Sequence, residues 1–147
     1  MKSEKLRLII PGAAVAAALM AGVDVGECIE KTMTGMFIPV GVRLRVSYTV
    51  GPPVGKWPLS AYTMHILVEV RPEAYVWIAY ELQHRIYRAV YGLLAHLTER
   101  ELAVLRMRIF RKKSIAKTAS ALGVKPQTVV AFQRSVKRKV QKHLGLP

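Results

Sequence analysis

Gly123 and Pro126 stand three residues apart inside a stretch, ASALGVKPQTVV (119–130), that otherwise reads as helix. Glycine ends helices in the left-handed conformation, and proline is tolerated only in a helix's first turn. The pair therefore predicts two helices, Ile115–Leu122 and Pro126 to about Leu144, joined by a tight corner. Upstream, Thr98-Glu99-Arg100-Glu101 fits a capping box opening an earlier helix, with Leu102, Leu105 and Ile109 on one face. Arg111-Lys112-Lys113 breaks that helix, and Ser114 can cap the next. The last third of the chain is thus three helices, the last of them the longest.

Charge marks the same third. The chain carries 23 Lys and Arg against 9 Asp and Glu, and every acid lies at or before Glu101. Residues 102–147 hold twelve basic side chains and no acid, so almost all of the net charge of +14 resides there. Such a segment lacks internal neutralisation and calls for a polyanionic partner, either nucleic acid or an anionic membrane surface. The order of residues on the last helix favours nucleic acid. Stepping about 100° per residue from Val129 puts Phe132, Gln133, Val136 and Val140 near the buried side. Gln127, Ala131, Arg134 and Arg138 point away, with Thr128 and Ser135 on the flank. Short side chains near the N-terminus let a helix approach base edges, and later cations hold phosphates.

Leu97, Arg100-Glu101, Val104-Leu105, Ser114, Ala119, Leu122-Gly123-Val124, Thr128-Val129 and Lys139 form an ordered set over about 97–145. In this set the chain resembles the tetra-helical helix-turn-helix of LuxR-type regulators and of region 4 of sigma-70 factors. Such modules behind a small unrelated N-terminal domain also resemble phage late-gene activators. The resemblance implies double-stranded DNA as partner and RNA polymerase as a further candidate contact, while the long helix over 73–96 is expected to connect or to oligomerise, a homo-dimer being favoured. Gln127, Thr128, Ala131 and Arg134 are then the candidate base readers. Lys112, Lys113, Lys125, Lys137, Arg138, Lys139 and Lys142 are the candidate phosphate contacts. Three positions depart from the pattern. Thr118 stands where the family has Ile, Lys125 replaces the usual Ser/Thr cap, and Phe132-Gln133 inverts a polar-then-Leu order.

The remainder predicts an α+β module over residues 1–72 with antiparallel strands, a long helix over 73–96, and the helix-turn-helix domain over 97–147. Overall the fold is expected to be mainly α. Leu6–Ile10 reads as a short strand and Ala13–Ala21 as a helix behind Pro11. GVDVGECIEKTM suggests a second short helix. GVRLRVSYTV (41–50) alternates strictly and predicts a half-buried strand, GPPVGKWP (51–58) a loop, and Ala61–Val70 a strand antiparallel to it. From Pro72 to about Leu97 two stripes share one helix. The first runs Tyr75, Ala79, Leu82, Ile86, Val90, Leu93, Leu97; the second is aromatic, with Trp77, Tyr80, His84, Tyr87 and Tyr91. One side is expected to face the strands. The other must face the C-terminal helices or a second copy of the chain.

The basic, apolar start imitates a signal peptide, but Pro11-Gly12 interrupts it, and it is too short to span a membrane. A cytoplasmic protein without a membrane partner is expected. AAALMAGVDVGECIEKTM echoes the helix, Gly-Val, helix layout of ASALGVKPQTVV, so residues 12–34 are considered as a second helix-turn-helix. The four histidines and Cys28 lack metal-ligand spacing, and no phosphate loop or nucleophile motif occurs. Neither cofactor nor enzymatic activity is expected. The two functions weighed for DNA are a sequence-specific transcription regulator and a non-specific, oligomeric packaging or architectural protein. An RNA-binding accessory is weighed third, without any ribonucleoprotein-type aromatic motif to support it.

Overall fold

A computed structural model describes residues 2–24, 27–28 and 46–144. Among the described residues a small three-stranded sheet lies near the start of the chain and helices predominate, so the fold is mainly α with an α+β start. The strands are β1 (Lys2–Pro11), β2 (Val46–Val50) and β3 (Ala61–Val70). β3 is central, antiparallel to both neighbours. The expected strand at Leu6–Ile10 is longer than its hydrophobic run because β3 pairs it in register from Lys2↔Val70 to Pro11↔Ala61. Alternation decides the faces: Leu6, Leu8, Ile10, Met64, Ile66, Val68 and Val70 are buried, while Lys5 and Arg7 are exposed. The strand expected over 41–50 is seen from Val46 onward; its earlier part lies outside the described residues.

Helix α1 (Gly12–Met20) leaves the sheet edge directly. It has no side-chain cap; its first amides, on Gly12 and Ala13, donate to the carbonyls of Ser60 and Pro58. Contact is so close that a Cβ on Gly12 would lie 2.2 Å from Ser60 Oγ. Ala13, Ala14, Ala16, Ala17 and Ala18 are all buried. Small side chains on every side let several neighbours approach one helix, and α1 is wedged between the sheet and the C-terminal helices. Helix α2 (Pro72–His96) begins with proline in its first turn, as predicted, and buries Ile78, Ala79, Leu82, Val90 and Leu93.

Three more helices follow: α3 (Glu99–Leu105), which runs on as a π-helical turn through Arg106–Phe110, then α4 (Ile115–Leu122) and α5 (Pro126–His143). Two cores serve them. Val104, Ala119 and Val129 form one, inside the α3–α4–α5 unit. Ala16, Ala17, Leu93, Leu97, Leu105, Val136 and Val140 form the other, which joins α1 and α2 to α3 and α5. The boundary expected near residue 97 is therefore a chain corner, and hydrophobic packing runs straight across it.

The aromatic stripe of α2 has a different setting from the first. Tyr87 is half-buried and accepts a hydrogen bond from the Ile9 amide at 3.1 Å. Trp77, Tyr80, His84 and Tyr91 are exposed. The C-terminal helices pack instead against the Leu93–Leu97 end of the other stripe, leaving the aromatic one open among the described residues.

Of the expected second short helix, only Glu27 and Cys28 are described, both helical. The second helix-turn-helix considered over 12–34 thus lies largely outside the described residues. Its first half is nevertheless informative. α1 and α4 both end with glycine at positive φ, Gly22 at 68° and Gly123 at 65°. In each case the following valine amide reaches back five residues, Val23 to the Ala18 carbonyl and Val124 to the Ala119 carbonyl, both at 3.0 Å. This is the Schellman ending, and the sequence echo is real at the level of the cap.

Candidate nucleic-acid interface

The candidate surface is built on α4, the three-residue turn Gly123–Lys125 and α5. Ser114 caps α4 by accepting from the Lys117 amide at 3.1 Å. Thr118, the departure in the middle of α4, is fully buried, and its hydroxyl donates to the Ser114 carbonyl at 2.8 Å. That bond removes the cost of burying a hydroxyl where an aliphatic side chain would be expected. Lys125 precedes α5 with no side-chain cap, so the helix begins with uncapped amides beside a cation.

Val129, Val136 and Val140 are completely buried on one side of α5. Each contributes about 1.5 kcal/mol or more. On the opposite side Gln127, Ala131, Arg134, Lys137, Arg138 and Lys142 are exposed, with Thr128 half-buried on the flank. Like charges one turn apart, such as Arg134 and Arg138, cost only about 0.2–0.5 kcal/mol per pair. Packing therefore sets the orientation of α5, and the repulsion among its cations is too small to turn it.

Two shallow concavities gather the cations. Ala131, Arg134, Lys137, Arg138 and Gln141 line one along α5. Arg111, Lys112, Lys113, Ser114 and Lys117 line the other at the start of α4. Arg111, Lys117 and Gln141 were not among the sequence candidates. Gln141 could have been found from the helical period, since it lies seven residues, two turns, beyond Arg134. Arg111 and Lys117 depend on how the chain turns at Lys112, whose φ of 51° is left-handed.

One sequence candidate is placed otherwise. Lys139 turns inward, bonding the Glu101 carboxylate and the His96 carbonyl, the latter at 2.6 Å. Its ammonium is committed to a helix junction, so Lys139 leaves the set of open cations. Glu101, only 2% exposed, also completes the predicted capping box. It accepts from the Thr98 amide at 3.0 Å, and Thr98 Oγ1 accepts from the Glu101 amide at 3.2 Å. Burial by itself would raise the Glu101 pKa; the Lys139 ammonium and the Thr98 bonds outweigh it and hold the carboxyl below its ordinary value.

Arg108 is likewise structural. Its Nε donates to Gln133 Oε1 at 2.8 Å and its guanidinium to the Lys113 carbonyl at 2.7 Å. This explains the inverted Phe132-Gln133 order: Gln133 faces inward to receive the arginine of the π-helical turn. Trp57 from the β2–β3 connection packs at a tilt against Phe110 at the end of that turn, with ring centroids 4.9 Å apart. At the far end of α5, His143 lies 4.5 Å from His96 and close over Gly92. Burial, then the nearby charges of His96 and Lys142, lowers the His143 pKa.

Among the described residues no group of three His, Cys, Asp or Glu is placed to hold a metal ion. Among them too, no helix is long and apolar enough to cross a membrane. Compared with known proteins, the chain gives no match to a family model, a curated protein or a solved structure.

Proposed function

We propose that the protein is a sequence-specific, double-stranded DNA-binding transcription regulator, acting as a dimer. In this reading α4, the Gly123–Lys125 turn and α5 are a helix-turn-helix, and α5 enters the major groove. The observation that carries it is the outward face of α5. Gln127 and Ala131, short or hydrogen-bonding, precede Arg134, Lys137 and Arg138 on the exposed side of a helix held by three buried valines. Gln127, Thr128, Ala131 and Arg134 read bases. Lys112, Lys113, Lys125, Lys137, Arg138 and Lys142 hold phosphates, joined by Arg111 and Lys117.

Selection of the purified protein on randomised duplex DNA, followed by sequencing, tests this. The expected result is enrichment of a palindromic site. Arg134→Ala should cost roughly 1–3 kcal/mol at one base pair and relax selectivity there alone. With about six phosphates engaged, affinity should drop about a thousandfold between roughly 50 and 200 mM salt. Tight binding without enrichment would replace the regulator with an architectural or packaging role. Failure to bind duplex DNA would remove both.

A further inference from the structure

We infer that the aromatic face of α2 is a self-complementary dimer interface, in which two copies cross antiparallel with His84 on the two-fold axis. This deepens the dimeric part of the proposed function and concerns the free protein, whatever α5 binds. Val76, Trp77, Tyr80 and Tyr91 are 75%, 42%, 66% and 56% exposed, an unusual concentration of large apolar side chains on one helix. With His84 and Arg88, also exposed, they form one continuous stripe. From Trp77 to Tyr91 it runs about 21 Å along the helix axis.

The stripe is symmetric in kind about its centre. Tyr80 and Arg88 lie four residues to either side of His84, and Trp77 and Tyr91 lie seven. In an antiparallel crossing at His84, Tyr80 meets Arg88 of the partner subunit, and Trp77 meets Tyr91 of the partner subunit. The first contact sets a guanidinium against an aromatic face, and the second is an aromatic pair; each occurs twice. Charge agrees with this direction. Glu81, which also lies 3.9 Å from Arg85 one turn on, stands in the first half of the helix, and Arg88 stands in the second. Antiparallel copies bring unlike charges together, whereas parallel ones would set Arg88 against Arg88. A two-fold interface is isologous, so one face has to satisfy itself in this way. Trp, Tyr and Arg are also the residues that dominate binding at interface centres.

The test uses the full chain without DNA, so its failure is separate from failure of the DNA-binding reading. Sedimentation of the wild-type protein should show a concentration-dependent dimer. Tyr80→Arg, which faces Arg88 of the partner subunit, should weaken it at least about tenfold. Adding Arg88→Glu to that variant should restore it, because positions 80 and 88 are too far apart to pair within one helix. In a Cys28→Ser background, His84→Cys should form a covalent dimer on mild oxidation, since only a residue at the axis meets itself. Trp77→Cys alone should not, but mixed with Tyr91→Cys it should. A wild-type monomer at all concentrations would overturn the proposal. So would self-linking of Trp77→Cys, or a double variant no tighter than Tyr80→Arg.

Discussion

The chain contains the same local device twice, to opposite ends. α1 and α4 are both short, alanine-bearing helices closed by a left-handed glycine and a valine that reaches back five residues. Around α1 the alanines are buried against several elements at once. Around α4 only Thr118 and Ala119 are fully buried, and Ala116, Lys117, Ser120 and Ala121 face outward. The termination of a helix is thus decided within a few residues, whereas its use depends on what packs against its sides. One copy is a spacer in the core, and the other supports an exposed basic surface.

The sharpest way to break this comparison is a cation in each helix. Ala17→Lys buries an unpaired charge amid Leu93, Leu105 and Val136 and should cost about 3–5 kcal/mol, read from urea unfolding. Ala121→Lys should stay within about 0.5 kcal/mol. Equal losses would mean that α4 is packed as deeply as α1. Next in size is the junction between the two regions. Glu101→Gln removes the ion pair and leaves Lys139 facing His96, at an expected cost of about 2–3 kcal/mol. Because the folded Glu101 pKa lies below its unfolded value near 4.5, the carboxylate stabilises the fold above that pH. The stability it contributes is lost as pH falls through the folded value, and the difference between wild type and Glu101→Gln should shrink there. A constant difference down to low pH would mean that the carboxylate is not what binds α3 to α5.

The smallest effect is the most direct comparison. Gly22→Ala and Gly123→Ala each place a Cβ in the left-handed region, and among the described residues nothing lies within 4 Å of that Cβ in either corner. Both should lose about 1 kcal/mol, through backbone strain alone. Losses that differ by more than about 0.5 kcal/mol would show that the surroundings enter even at the cap.

What could be read from the sequence follows the same division. Gly123, Pro126, Ser114 and the Thr98–Glu101 box specify their own neighbourhoods, so the helix ends of the last third were legible. So was the strand at Ala61–Val70, and the burial of Val129, Val136 and Val140. The rest depends on partners distant along the chain. Nothing near Lys139 announces Glu101, nothing near Gly12 announces Ser60, and a basic residue in a basic segment gives no sign that it points inward. The central position of β3 escaped for the same reason, since β1 pairs with it across some fifty intervening residues. The candidate surface was legible as a helix face; the concavity at Lys112 was not, because it arises from a left-handed lysine that no pattern required.

Continuity of the core across residue 97 bears on how such a chain can change over time. Leu97, Leu105, Val136 and Val140 are covered by α1 and by the end of α2. The last third is therefore not a detachable cassette that could be exchanged between proteins by recombination at a linker. Its inner face and the alanines of α1 have to drift together, each limiting the size of the other, while the outer face of α5 lies outside that constraint and answers only to what it binds.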